Sequence, residues 1–128
     1  MPYTLDRYEE ENLTVITATG EIADGESYQA VKDFYDGRPT QNVIWDFRAV
    51  AMSLVSEDEI TRLFEYSMKN LLKRQFGKTA LVAPDEHDFE LAQSTSVIGD
   101  LTDVPWEMQA FRTIEEAAAW IGVRYPIP

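Results

Sequence analysis

The pattern of hydrophobic and polar positions predicts five strands and four helices in the order ββαβαβαβα. Two short β-type runs, PYTLDRY and LTVITAT, are separated by the polar turn EEEN and indicate a hairpin. NVIWDF, TALVA and WEMQAF are further strands, and the first two are apolar enough to be buried on both faces. Strands joined by helices favour right-handed parallel crossovers, so we expect an α/β domain. Its sheet should be central, mixed and mostly parallel, with an antiparallel N-terminal strand and helices packed on it.

Capping residues place the first and third helices. Asp24 is expected to cap a helix over about 25–36, which ends at Gly37 because glycine disfavours continuation. Asp85 is expected to cap a third helix that stops at Gly99.

The second and fourth helices each begin with a capping box. The second helix starts after Ser56, is predicted to run until Gly77, and carries an apolar stripe at helical spacing: Ile60, Leu63, Phe64, Met68, Leu71 and Leu72. The last helix starts after Thr113 and stops at Gly122. The large aromatic residues of the strands and the last helix are expected in the core: Trp45, Phe47, Trp106, Phe111 and Trp120.

Length, composition and charge restrict the class of protein. The 128 residues suit one domain, residues 1–128, and 45% hydrophobic residues are enough for a packed core. The chain has no cysteine, no segment resembling a signal peptide and no apolar segment long enough to span a bilayer, so we expect a cytoplasmic protein. Eleven basic residues against twenty-three acidic ones give a net charge of −12, which opposes binding to nucleic acid and to anionic lipid surfaces.

Three longer motifs, in their order along the chain, carry a resemblance to a known family. They are VIWDFRAV at 43–50, KTALVAPDEHDFELAQ at 78–93 and MQAFRTIEEAAAWIG at 108–122, and GEI at 20–22 precedes them. Together they resemble the SpoIIAA-like branch of the STAS (STAS/SEC14-like) domains, which are named for sulfate transporters and anti-sigma-factor antagonists. The resemblance implies a single STAS-like domain that acts as a non-enzymatic regulatory or protein-interaction module.

The loop before the second helix, AVAMSLVSEDE, lies where the resemblance implies a switch. In anti-sigma-factor antagonists a kinase phosphorylates a serine of an Asp-Ser-Ser-Gly type motif there, and the added charge changes partner docking. Here Ser53 falls near the motif's aspartate and Val55 near its phosphorylated serine. Ser56 is needed as the helix cap, and the three acidic residues after it would repel a phosphate. We therefore expect no such switch and keep Ser53 as a candidate contact residue.

Two charged residues at the end of the strand NVIWDF form a candidate ligand contact. Asp46 and Arg48 lie two apart in extended chain and point to the same side, at the end where open α/β sheets bind ligands. They are either an ion pair that fixes the loop or a ligand contact. His87, the single histidine, is either a base or metal ligand or a residue of a first helical turn. Its acidic neighbours point in different directions on a helix, which favours the second interpretation.

The end of the second helix carries the candidate partner surface. Lys69, Lys73 and Arg74, with Lys78 just beyond, form a basic island that complements the negative end of the helix dipole. An acidic partner or a second copy of the chain is the alternative reason for this island. Tyr66 lies off the apolar stripe, and we expect it to be exposed. We expect a homodimer through Tyr66 and Lys69, where basic residues dilute the repulsion between two acidic copies.

Three classes of function compete at this point. The expected function is a regulatory or interaction module with an unidentified protein partner. The alternative is a small carrier or sensor of an apolar or lipid-like ligand, which rests on the apolar loop AVAMSLV. An enzyme is not expected, because the sequence has no nucleophile–base set, Gly-rich phosphate loop or metal-ligand spacing. We therefore expect no catalytic residue, no cofactor and no metal.

Overall fold

The computed structural model describes residues 3–20, 23, 25–52, 55–74, 76–101 and 104–127. Its one sheet has the strand order β1-β2-β3-β4-β5, with β1 antiparallel to β2 and the remaining pairs parallel. The predicted α/β class and the mixed, mostly parallel sheet are confirmed. The elements are β1 Tyr3–Tyr8, β2 Leu13–Ala18, α1 Glu26–Asp36, β3 Asn42–Asp46, α2 Glu57–Lys69, α3 Leu71–Arg74, β4 Lys78–Val82, α4 Glu86–Leu101, β5 Glu107–Phe111 and α5 Ile114–Ile121.

The helices divide unequally between the two faces of the sheet. The strands β2 to β5 lie side by side in the same order as in the sequence, so each connection moves in the same direction across the sheet. Right-handed crossovers therefore place α1, α2 and α4 on one face, where they enclose the larger core. The helix α5 covers part of the other face, together with residues 123–127. Ligand crevices in open α/β sheets form where the strand order reverses, and this sheet has no such point.

Several predicted helix ends are confirmed by their caps, including those of Asp85 at the start of α4 and Gly37 at the end of α1. The Ser56 hydroxyl accepts a hydrogen bond from the backbone N–H of Glu59 at 3.1 Å, and the Thr113 hydroxyl accepts one from Glu116 at 3.1 Å. At the end of α5, Gly122 adopts φ +95°, the left-handed conformation that glycine reaches without strain.

The predicted second helix is in fact two helices. The side chain of Asn70 donates a hydrogen bond to the carbonyl of Tyr66 at 2.9 Å, which diverts an acceptor that a continuing helix would use, and α2 ends there. The following turn, α3, has a different phase. Leu72, predicted on the apolar stripe, is consequently 86% exposed. The prediction of one helix reaching Gly77 is therefore wrong.

The helix α4 continues past the predicted stop at Gly99 and ends at Leu101. Gly99 is instead a point of close approach between α4 and β5. A β-carbon at this position would lie 2.5 Å from the sulfur of Met108, closer than such contacts occur. The glycine thus marks a close approach to the flexible side chain of Met108 and not the end of the helix.

Candidate functional site

A cavity of about 90 Å³ lies between the sheet and the helix α2. Its floor is formed by side chains of β3, β4 and β5 and of the residue that follows β3, and its roof by α2. The central lining residues are Trp45, Phe47, Leu81 and Met108 below and Ile60 and Leu63 above. α2 packs mainly on α1 and makes few contacts with the strands, which is why the gap beneath it remains open.

The burial pattern of α2 departs from that expected for an amphipathic helix, because its most buried residues are polar. Its apolar stripe, represented by Ile60, Leu63 and Phe64, is only half-buried, whereas the buried residues of the helix are Glu59 and Ser67. Helices of this kind normally bury their apolar stripe against the core. Here the stripe borders unfilled space, so the apolar surface is available to a ligand.

Glu59 fastens α2 to the start of α1. Its carboxylate accepts the backbone N–H of Gly25 at 2.6 Å and of Ser27 at 2.8 Å. A negative group is favoured at a helix N-terminus because the unpaired N–H groups and the helix dipole point towards it. Asp24 lies outside the described residues. The residue at the N-cap position is Gly25, so the predicted cap is not at the position where the helix begins.

A buried phenol lies beneath this junction. The hydroxyl groups of Tyr3 and Ser27 are 2.6 Å apart. Burial raises the pKa of Tyr3 to about 12, and the nearby charge of Glu59 acts in the same direction. The start of α1 is therefore held by a polar network at one edge of the apolar cavity.

Arg74, predicted in an exposed basic island, is buried in the cavity wall and only 4% exposed. Nε donates to the carbonyl of Gln41 at 2.9 Å, and Nη2 donates to the carbonyl of Lys78 at 3.1 Å and to the hydroxyl of Thr79 at 2.6 Å. The guanidinium lies 4.8 Å from the ring centre of Trp106. Burial lowers the pKa of Arg74 to about 10, which leaves it charged at neutral pH.

The predicted basic island is not formed. Besides Arg74, Lys78 is also removed from it, since its Nζ donates to the carbonyl of Trp120 at 2.9 Å on the opposite face of the sheet. Lys69 and Lys73 remain exposed. The four residues diverge because Arg74 is buried in the cavity wall, whereas Lys78 belongs to β4 and its side chain reaches the opposite face of the sheet.

Asp46 and Arg48 form an ion pair at the end of β3. The Arg48 Nε lies 3.0 and 3.1 Å from the two carboxylate oxygens, and Nη2 lies 2.9 Å from Oδ2. The hydrogen bond to Asp46 is the main cause that raises the pKa of Arg48. The pair lines a polar pocket of about 290 Å³ with Thr17 and Tyr125, on the face opposite the apolar cavity. The structure thus contains the ion pair that the first interpretation predicts. The described contacts neither support nor exclude a ligand contact at these two residues.

Tyr66 is half-buried, so its predicted exposure is wrong. Its ring makes an edge contact with Tyr28 at 5.4 Å and a tilted contact with Tyr35 at 6.1 Å. The reason is that α2 rests on α1, and the side of α2 away from the apolar stripe meets that helix. Lys69 is exposed one turn later, and the candidate contact Ser53 lies outside the described residues.

His87 and its acidic neighbours diverge, as the helical interpretation predicts. His87 is exposed, Glu86 pairs with Arg112 at 2.6 Å, and Asp88 points inward to accept the backbone N–H of Met52 at 3.1 Å. Across the described part of the chain, no group of three His, Cys, Asp or Glu residues is arranged to hold a metal ion. Asp88 instead fixes the loop between β3 and α2 at the cavity.

Sequence reasoning missed the two charged residues next to the cavity, Glu59 and Arg74. Glu59 was recognised only as part of a capping box, and Arg74 only as one of several basic residues. No local signal separates Arg74 from the exposed Lys73 beside it. A weak signal was present for Glu59, because an acidic residue follows the cap at the position next to the apolar stripe.

Comparisons of the chain with protein-family models, curated proteins and solved structures found no match. Among the residues that the structure describes, no helix is long and apolar enough to cross a membrane. The findings therefore define the class of fold, an α/β domain with a five-stranded mixed sheet and an antiparallel N-terminal pair.

Proposed function

We propose that this domain is a non-enzymatic carrier or sensor of a small apolar ligand, which binds in the cavity between the sheet and α2. The observation that carries the proposal is the half-buried apolar stripe of α2, which faces aromatic and methionine side chains across an unfilled gap. Leaving such surfaces apart costs both hydrophobic and dispersion energy, and a ligand of matching chemistry recovers it.

The size of the cavity limits the ligand and its affinity. An apolar cavity of about 150 Å³ binds benzene, so one of about 90 Å³ suits a ligand of roughly four to six non-hydrogen atoms. Burying about four methylene-sized groups contributes about 3 kcal/mol at ~0.8 kcal/mol each. A neutral hydrocarbon ligand should therefore bind with a Kd on the order of a few millimolar.

The loop between β3 and α2 links the cavity to the surface that a partner would contact. Met52 and Val55 of this loop line the cavity, and the N–H of Met52 is held by Asp88 of α4. The resemblance to STAS domains implies a partner-binding switch at this loop. We propose that ligand occupancy takes the place of phosphorylation there, by changing how the loop and α2 are presented to a partner.

Isobutanol, a small neutral probe, tests whether the cavity binds ligands. In methyl NMR spectra we expect a saturable titration to shift the methyl groups of Met52 and Met108, which line the cavity. The methyl groups of Ile114 and Ile127, on the other face, should not move.

Two matched variants make this test specific. Ser67→Met places a larger side chain in the cavity, and Ser94→Met makes the same change at an exposed position of α4. Ser67→Met should abolish the saturable shifts and Ser94→Met should keep them. Shifts that are absent from the wild-type protein, or that survive equally in both variants, would refute the proposal.

An interaction module remains as a second candidate because large apolar side chains are exposed. Leu72, Phe76 and Leu101 are 86%, 72% and 77% exposed, and the first two follow Lys69 closely in sequence. We propose a homodimer near the end of α2, with Leu72 and Phe76 in the role first assigned to Tyr66. Salt should tighten the dimer by screening the repulsion of the −12 charges. Sedimentation at low and high salt tests this, and Leu72→Ser should weaken the dimer. A monomer under both conditions removes this candidate.

A further inference from the structure

Arg74 carries a buried charge that no described acidic side chain neutralises. The ion pairs among the described residues do not include it, and its hydrogen-bond partners are two carbonyls and two hydroxyls, one of them the phenol of Tyr35. The buried acidic residues are engaged elsewhere: Asp46 with Arg48, Glu59 with the start of α1, and Asp88 with the loop before α2. Among the described residues the charge is thus balanced by neutral groups alone, which is costly for a buried charge and makes this position unusual.

The guanidinium lies in the cavity wall, and its bonds to Gln41, Lys78 and Thr79 do not use all of its N–H groups. The described bonds to Gln41, Lys78 and Thr79 use Nε and Nη2. Nη1 carries two further N–H groups beyond these bonds, and the guanidinium also has a hydrogen bond with the phenol of Tyr35. The cavity wall thus combines one cationic donor group with an otherwise largely apolar lining.

We infer that the ligand of the cavity is a small carboxylic acid, bound as its carboxylate by Arg74 with its hydrocarbon part against the stripe of α2. The inference rests on the proposed function, because it names the class of ligand for the same cavity. A carboxylate matches the planar fork of a guanidinium, and a branched or short alkyl group fits the space that remains. The hydroxyl groups of Ser67 and Thr79 supply further polar contacts near the head.

The overall charge of the protein makes such binding selective for the cavity. With a net charge of −12, the surface repels carboxylates, so weak binding at exposed lysines is suppressed. A bulky polyanion is excluded by the volume of about 90 Å³ and by the largely apolar walls. The size, lining and charge of the cavity therefore favour a monocarboxylate with a small apolar body.

Isobutyrate and isobutyramide provide the test, since they have nearly the same shape and differ in charge. We expect isobutyrate to bind the wild-type protein about tenfold to a hundredfold more tightly, the range expected for a charge-assisted hydrogen bond. The titration is followed at the methyl groups of Met52 and Met108. Arg74→Met should abolish the preference for the acid, and Lys73→Met, an exposed neighbour in the same short helix, should keep it.

The outcomes separate this inference from the proposed function. Equal affinity for the two probes, or tighter binding of the amide, overturns the carboxylate inference and leaves the cavity as a site for neutral ligands. Binding of neither probe, together with no binding of isobutanol, overturns both. If Arg74→Met does not fold, the comparison of acid and amide on the wild-type protein still decides the question.

Discussion

Replacing Glu59 by glutamine should destabilise the domain strongly, although the side chains have nearly the same shape. The carboxylate is 2% exposed and accepts two backbone N–H groups, from Gly25 at 2.6 Å and from Ser27 at 2.8 Å. In Glu59→Gln one oxygen becomes an NH₂ group that faces an N–H donor. One charge-assisted hydrogen bond, worth about 1.5–3 kcal/mol, is lost, and the other is weakened. With the favourable interaction at the helix N-terminus also reduced, we expect a total of about 3 kcal/mol.

Urea denaturation measures this loss as a shift of the unfolding midpoint. With an m-value of about 1.5 kcal/mol per molar urea, the expected shift is about 2 M. Glu57→Gln is the matched control, because Glu57 is an exposed residue in the first turn of the same helix and should change the midpoint little. If Glu59→Gln costs no more than Glu57→Gln, the carboxylate does not join α2 to α1 and the reasoning fails.

Three further changes test single contacts of the fold. Ser56→Ala removes the cap of α2 and should cost about 1 kcal/mol in urea denaturation; stoichiometric phosphate on this serine in protein from native cells would contradict its role as a cap. Gly99→Ala should change the thermal midpoint little, because the flexible Met108 side chain can move aside and the cost of moving it offsets a gain of about 1 kcal/mol in helix propensity. Tyr3 ionises near 10 when unfolded and near 12 when folded, so its contribution to stability is present below pH 10 and lost as the pH rises to 12. The unfolding midpoint of Tyr3→Phe should fall less over that range than that of the wild-type protein, and equal falls would argue against a buried phenol.

The order and type of the elements were predictable because they depend on local patterns. The caps at Ser56 and Thr113 and the helix end at Gly122 each depend on residues within one helical turn of each other. The structure contains all three. The parallel connections follow from helices placed between strands. These features need no knowledge of which elements meet in space.

The errors lie where two distant segments decide the outcome. Gly99 resembles a helix stop, but its role depends on Met108 in another element. Tyr66 is off the sheet-facing stripe, but α1 lies on that side of the helix. Arg74 resembles its exposed lysine neighbour until the strand β4 and Trp106 are placed around it.

The candidate site was the least predictable part for the same reason. The sequence indicates an amphipathic second helix, and such a helix normally packs its stripe directly on a sheet. The fact that Glu59 ties this helix to α1, so that the stripe stays above a gap, appears only in three dimensions. Asp46 and Arg48 were singled out by their position on β3, and their mutual ion pair lies on the other face.

A crystal structure of the protein under xenon pressure shows whether an apolar cavity lies beneath α2, because xenon occupies dry apolar cavities. We expect a xenon atom between Leu63 of α2 and Leu81 and Met108 of the sheet, with α2 still resting on α1 through Glu59. A matched crystal of Ser67→Met should lack this atom. A structure in which α2 has closed onto the sheet, with no xenon and no space beneath its apolar stripe, would contradict the account.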